Sequence, residues 1–294
     1  MISRVTATSM TQTAMRHLQA NLTQLARLQE QATSQRAFSV PSDDPAAAAT
    51  ALQVHAAQQR NDQYARNIDD GLAWVTTIDN SLSASTSLLR RARDLTVRGA
   101  NSGSLDATAK EAIAVELQGI RDELLAQANT TVLGRAVFAG TSNTGAAFDA
   151  DYAFSGTTGS EVTRRVSDGV AVRVDADGAT VFGTGDESVF ALLDGIVADL
   201  RAGTDIGGRL TAIDDRMSAM LGVQGTVGAR QAQIERAKEA AVGQSVSLEA
   251  RRAAVEDVDS VEVLVKLQSQ ELVYQSALAV TGRVMQPSLL EFLR

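Results

Sequence analysis

From Thr11 to Gln35 the chain has no glycine or proline, and Leu18, Leu22, Leu25, Leu28 and Ala32 recur at spacings of three and four. That period predicts an amphipathic helix. Asn21 and Gln24 interrupt its narrow apolar stripe, so the isolated segment should be marginal in water and should need a partner. Pro41-Ser42-Asp43-Asp44-Pro45 then breaks the pattern, because each proline restricts its predecessor and cannot donate a backbone hydrogen bond. This segment is a candidate hinge. Asp44 as N-cap and Pro45 as first helical residue, followed by Ala46 to Ala49, restart a helix. It continues to Arg98 with only Gly71 to weaken it, a rod of roughly 50 residues and about 80 Å. Ile68, Leu72, Val75, Ile78, Leu82, Leu89 and Val97 supply its buried side, with Trp74 as a large anchor.

Gly99 to Gly103 stops that helix, and Leu105 to Asn129 restarts one with Ile113, Leu117, Ile120, Leu124 and Leu125 at helical spacing. Thr130 to Gly140 turns strand-like. Twelve of the 22 glycines lie between Gly140 and Gly208, which marks turns and strands. Val170, Val172 and Val174 alternate with Ala171 and Arg173, and Asp168-Gly169 and Asp177-Gly178 read as hairpin turns. A small antiparallel β domain is therefore expected from Phe148 to Phe182. Asp186 or Ser188 can cap a following helix through Leu200, and another helical run begins near Ile206.

From Ala229 to Met285 only Gly243 and Gly282 interrupt helical composition. The last part carries two apolar seams. One runs through Val258, Val261, Val265, Leu272 and Ala279, the other through Leu264, Leu267, Tyr274, Leu278 and Met285. Two seams on one helix mean two neighbours. The first is assigned to the N-terminal helix of the same chain and the second to adjacent subunits. Pro287 ends the helix and leaves an apolar tail of Leu289, Leu290, Phe292 and Leu293.

The expected fold is mainly α with an inserted β domain: a long antiparallel coiled coil or helical bundle from both chain ends, and a small antiparallel β domain in the middle. Residues 1–40 with 257–294 would form a terminal coiled-coil domain. Residues 41–140 with 187–256 would form a helical bundle, and 141–186 the β-rich outer domain.

Composition narrows the function. Hydrophobic residues make up 44% of the chain but aromatic ones only 4%, which suits close helix packing better than a deep ligand cavity. A net charge of −8 disfavours nucleic acid. With no cysteine there is no disulfide, thiolate metal site or thiol nucleophile. The first thirty residues lack the apolar block of a cleaved secretory signal. Leu272 to Gly282 is about half of the roughly 20 residues needed to span a bilayer, so a soluble chain is expected.

Chemistry finds few residues to use. His17 and His55 sit in helical stretches beside apolar residues and read as structural. The pairs Asp43-Asp44, Asp69-Asp70 and Asp214-Asp215 are sequence neighbours, which on a helix point about 100° apart and cannot pinch one substrate. Asp175-Ala176-Asp177-Gly178 resembles part of a calcium loop without its distal glutamate, and Gly183-Thr184-Gly185 lacks a following Lys-Ser/Thr. Arg90, Arg91, Arg93 and Arg98 spread around a helix without aromatic residues between them. No catalytic, cofactor-binding or metal-ligating residue is assigned, and no enzyme activity is expected.

Leu25-Ala26-Arg27-Leu28-Gln29-Glu30-Gln31, then Pro41-Ser42-Asp43-Asp44-Pro45 before an alanine run, then Asn67-Ile68-Asp69-Asp70 resemble the N-terminal region of the flagellin family. Glu256-Asp257-Val258-Asp259-Ser260 resembles the joint before that family's last helix. Gln286-Pro287-Ser288-Leu289-Leu290-Glu291-Phe292-Leu293 is similar to the tail of its hook-associated, junction-forming branch. The resemblance covers roughly residues 1 to 140 and 205 to 294. It implies a non-enzymatic structural subunit of the collar joining flagellar hook to filament, exported unfolded by the flagellar type III route to the cell exterior. It also implies a ring or short helical collar of its own copies, with hook-associated protein 1, filament flagellin and a cytosolic export chaperone as further partners. The alternatives are filament flagellin itself and a cytosolic coiled-coil scaffold, which the long helix and acidic charge also fit.

Overall fold

The computed structural model describes residues 2–101 and 106–285. Contacts divide the chain into two compact units, one formed by residues up to Gln59 together with those from Ser245, the other by Arg60–Gln244. The boundary falls inside two long helices, α2 (Pro45–Ala100) and α6 (Arg209–Glu256).

The first unit holds α1 (Ile2–Ser34), the start of α2, the end of α6, and α7 (Ser260–Met285). Gln35 closes α1 with φ 57°. Asp44 opens α2 as expected, its Oδ1 accepting from the N–H groups of Ala46 at 3.1 Å and Ala47 at 2.9 Å, and Pro45 is the first helical residue. Both joints of this unit meet: Ala37 N–H donates to the Glu256 carbonyl at 2.7 Å, and Val258 N–H to the Gln35 carbonyl at 3.2 Å. The end of α1 thus lies beside the start of α7, and Gln270 reaches Asn21 at 3.4 Å, so the two helices run antiparallel.

In the second unit α2 repeats with period seven. Asn61, Ile68, Val75, Leu82, Leu89 and Thr96 are all buried, as are Gly71, Ile78, Ser85, Ala92 and Gly99. Opposite them, α6 buries Ile213, Met220, Val227 and Ile234, again seven apart, the pattern of a left-handed supercoiled helix pair. Polar bonds fix its antiparallel register: Asn61 Nδ2 to the Ala241 carbonyl at 3.0 Å, Lys238 to Asp69 at 2.9 Å, and Arg93 to Asp214 at 2.7 Å. Helices α3 (Ala107–Ala128) and α5 (Val189–Ala202) pack on each other and complete this core. Asp106 caps α3 and Ser188 caps α5, each accepting from the third residue of its helix.

Between α3 and α5 the chain is irregular, with little sheet. Strands β1 (Thr131–Val132) and β2 (Arg135–Ala136) form a hairpin whose turn, Leu133-Gly134, has positive φ at both positions, the form that matches strand twist. Strands β3 (Thr163–Ser167) and β4 (Val170–Arg173) pair across Asp168-Gly169 with a bulge near Arg165. Asp177-Gly178 is not the second hairpin turn that the sequence predicts. Asp177 instead caps a five-residue helix, α4 (Gly178–Phe182), by accepting from Ala179 N–H. Gly178 sits where a Cβ would come within 2.9 Å of the Phe138 carbonyl, so the glycine serves close packing.

This part of the unit is held by rings. Phe148 meets Phe154, Phe182 and Phe190 at centroid distances of 5.3, 5.8 and 5.4 Å, and Phe138 packs edge-on against Phe182 at 5.2 Å. With only seven phenylalanines in the chain, their convergence here concentrates aromatic burial where regular hydrogen bonding is scarce.

Candidate functional site

The chain ends meet in the α1/α7 pair. Along α1, Ala14, Leu18, Asn21, Leu25, Leu28 and Ala32 are buried or half-buried, and of their immediate neighbours only Thr13 and Gln31 are not exposed. Along α7 the corresponding set is Val263, Leu267, Gln270, Tyr274, Ala277 and Thr281. Both follow alternating steps of four and three, the seam of two helices interlocking side chains. Leu28 and Val263 are its most enclosed members, 5% and 6% exposed. Asn21 with Gln270 places one amide pair inside the seam, and a lone polar pair in such a seam specifies register at a cost in stability.

Leu18, Leu25 and Leu28 lie on the enclosed side of α1, whereas Leu22 is 51% exposed. On α7 the intrachain face lies elsewhere than the sequence places it. Val261, Val265 and Leu272 are 72%, 61% and 66% exposed, and Ala279 is exposed too. Leu267 and Tyr274, assigned to the outward seam, turn toward α1 instead. Apolar residues occur nearly all around α7, so their period alone could not choose a face. The alternation that marks the true one includes Gln270 and Thr281, which a purely apolar template discards. Leu264 and Leu278 remain outward. Val258 is half-buried at the joint. The side chain of Met285 and the tail residues Leu289, Leu290, Phe292 and Leu293 lie outside the described residues.

After pairing with α1, α7 still presents Val261, Leu264, Val265, Leu272, Val273, Leu278 and Val280 to its surroundings, and α1 adds Met15 and Leu22. Among the described residues nothing covers this apolar surface, and exposed apolar patches of this extent are characteristic of interaction sites.

The segment Pro41 to Pro45 between α1 and α2 is exposed. It is shaped locally: Asp43 Oδ2 accepts from the N–H groups of Ser39 at 3.4 Å and Val40 at 3.3 Å, while Asp44 caps α2. Beside the α6–α7 joint, His55 Nε2 lies 2.5 Å from Glu256 Oε1. Arg252 binds Glu249, Glu256 and Asp257 together. Its hydrogen bond to Glu249 comes first in raising the guanidinium and in lowering the Glu249 carboxyl from their usual ranges. The sequence shows these charges but not that residues 201 positions apart meet. Among the described residues, no three His, Asp or Glu side chains gather as a metal ion would require.

Residues 5–143 match the bacterial flagellin N-terminal helical region, and residues 210–293 the bacterial flagellin C-terminal helical region. The chain is 31% identical over 191 residues to flagellar hook-associated protein 3 of Salmonella typhimurium, covering 60% of this chain and 59% of that protein. It thus spans about three fifths of that relative's length. In fold it is similar to a Vibrio parahaemolyticus structure described as a flagellar hook-associated protein, with TM-score 0.67 and 23% identity over 73% of this chain and 100% of that one. The crystal structure of Bacillus cereus FlgL gives TM-score 0.60 and 22% identity, covering 68% of this chain and 99% of that one. At such identities the two structures speak for the fold alone.

Proposed function

The chain belongs to the flagellin family, a family of structural flagellar proteins, and on that premise we propose that it is a subunit of the junction between flagellar hook and filament. Supporting this reading over filament flagellin is the reach of the match: hook-associated protein 3 of Salmonella typhimurium is 31% identical over 60% of this chain, whereas flagellin A of Vibrio anguillarum is 31% identical over 42% of it. The observation that carries it is the outward apolar face of α7, which the described residues leave uncovered. The mechanism is coupled folding and assembly. The α1/α7 seam alone buries few side chains fully, so ordering two helices of 33 and 26 residues gains little from it against a backbone cost of about 1–2 kcal/mol per residue. Neighbouring copies laid against Val261, Leu264, Leu272 and Leu278 add roughly 1.5–3 kcal/mol for each leucine fully buried.

In this reading residues 1–40 and 257–294 form the assembling domain, 41–140 and 187–256 a supporting bundle, and 141–186 the outward part. Its partners are its own copies, hook-associated protein 1, filament flagellin and an export chaperone, and its destination is the cell exterior through the flagellar export route. Electron microscopy of sheared appendages labelled against this chain tests the proposal. A narrow band at the filament base is expected. Label along the whole filament would establish the flagellin alternative, and label confined to cytosol would favour a scaffold.

A further inference from the structure

The second unit contains a concavity unrelated to the helix ends. It has a volume of about 260 Å³ and lies between one face of α6, carrying Val223, Thr226 and Arg230, and the segment after β4, carrying Ala176, Asp177 and Thr180. Its two cations differ. Arg173 is spent: its Nε binds the fully buried Asp175 at 2.8 Å and its Nη1 binds Glu161 at 2.9 Å. Arg230 is half-buried and, among the described residues, forms no ion pair and one hydrogen bond, from Nη1 to the Asp175 carbonyl at 2.8 Å. Burial first, then the Arg173 charge, push the Arg230 guanidinium below its ordinary value. A half-desolvated cation with donors to spare, beside another cation, is stabilised by any anion that reaches it.

The rest of the wall says what else such an anion carries. Asp177 and Thr180 add acceptor and hydroxyl groups: Asp177 Oδ1 caps Ala179 N–H at 3.0 Å and Oδ2 accepts from Thr180 Oγ1 at 3.3 Å. Carboxylate oxygens have lone pairs beyond those two. They repel a second anion and accept from hydroxyl groups. Val223 and Ala176 supply apolar floor. The space is smaller than a drug-sized pocket and matches one hydroxylated ring.

We propose that this concavity binds an acidic monosaccharide, its carboxylate held by Arg230 and its hydroxyl groups by Asp177 and Thr180. The site is independent of the junction reading, since it shares no residue with the α1/α7 pair.

Titration calorimetry of the full chain with glucuronate, glucose and inorganic sulfate tests it. Glucuronate should bind, with glucose and sulfate each weaker by at least roughly tenfold, because each lacks one half of the contacts. Arg230→Gln should lose glucuronate by a similar factor with an unchanged melting temperature. Should Arg230→Gln disturb folding, Thr226→Phe fills the concavity from an exposed helix position and should abolish binding equally. Glucuronate failing to bind, binding no better than glucose or sulfate, or binding the Thr226→Phe chain as before would each overturn the proposal.

Discussion

Asn129 grips both backbone groups of Phe148: its Nδ2 donates to the Phe148 carbonyl at 3.0 Å, and its Oδ1 accepts from the Phe148 N–H at 2.8 Å. The same oxygen accepts from Ala147 N–H at 2.8 Å. One amide at the C-terminal end of α3 thus takes the place of a missing strand partner for a buried, irregular segment. Asn129→Ala would leave two buried donors unpaired beside residues at most 1% exposed. A loss of about 1–3 kcal/mol in denaturant unfolding is expected, with amide exchange rising first at residues 147 and 148. A change below a few tenths of a kcal/mol would mean that water satisfies these groups equally well.

Gly183 follows α4 with φ 78° and ψ −178°, a region that residues with side chains avoid. A Cβ there would also come 2.5 Å from the Glu187 carbonyl and 2.9 Å from Ser188 Cα. Gly183→Ala should cost about 2 kcal/mol or more, since strain and clash act together and the contacts are backbone. Gly134 is a matched control, with φ 78° but open space around it. Asparagine tolerates that left-handed turn position, so Gly134→Asn should shift the thermal midpoint much less than Gly183→Ala. Equal shifts would show that the crowding at Gly183 relaxes freely.

What the sequence discloses and withholds follows from these particulars. Asp44 and Pro45 act within one helical turn, so α2 begins where composition places it, whereas α3 begins at Ala107 behind the Asp106 cap, two residues after the start expected at Leu105. The Phe148 cluster draws on residues 138 to 190, and no local period announces a contact made through irregular chain. The face of α7 was hidden for a different reason. Exposed valines and leucines imitate a core stripe, because α7 is apolar on several sides and only one of them meets α1.

Tyr152 links pH to stability. Its hydroxyl donates to Asp194 Oδ2 at 2.7 Å and accepts from Arg121 Nη1 at 2.9 Å, and its ring lies 5.3 Å from Phe190. Burial first, then the bond to Asp194, raise its pKa above the ordinary 10.0. The sign follows: the neutral phenol is the form the fold favours, so this contribution is complete below pH 10 and is lost as pH rises through the higher folded-state value. Wild-type stability should fall relative to Tyr152→Phe between neutral pH and strongly alkaline pH, measured by urea unfolding at each pH. Parallel curves for the two chains would remove Tyr152 from the account.

Leu28 and Leu272 separate folding from assembly. Leu28 is 5% exposed within the α1/α7 seam, whereas Leu272 is 66% exposed on the far side of α7. Leu28→Ala should therefore weaken the dilute monomer by about 2 kcal/mol, the low end for a buried leucine because a two-helix seam can close around the gap. Leu272→Asp should leave monomer unfolding nearly unchanged, as surface substitutions do. In cells the order should reverse in severity. If copies meet through this face as proposed, Leu272→Asp, or Leu264→Asp with Leu278→Asp, would bury an unpaired carboxylate at each contact, which costs far more than a lost methyl group. Collars should then be missing from purified hooks although the protein is exported and folded. If Leu272→Asp destabilises the monomer as much as Leu28→Ala does, the face described as open is already closed within one chain. If collars form normally with Leu264→Asp and Leu278→Asp, neighbours meet through some other surface.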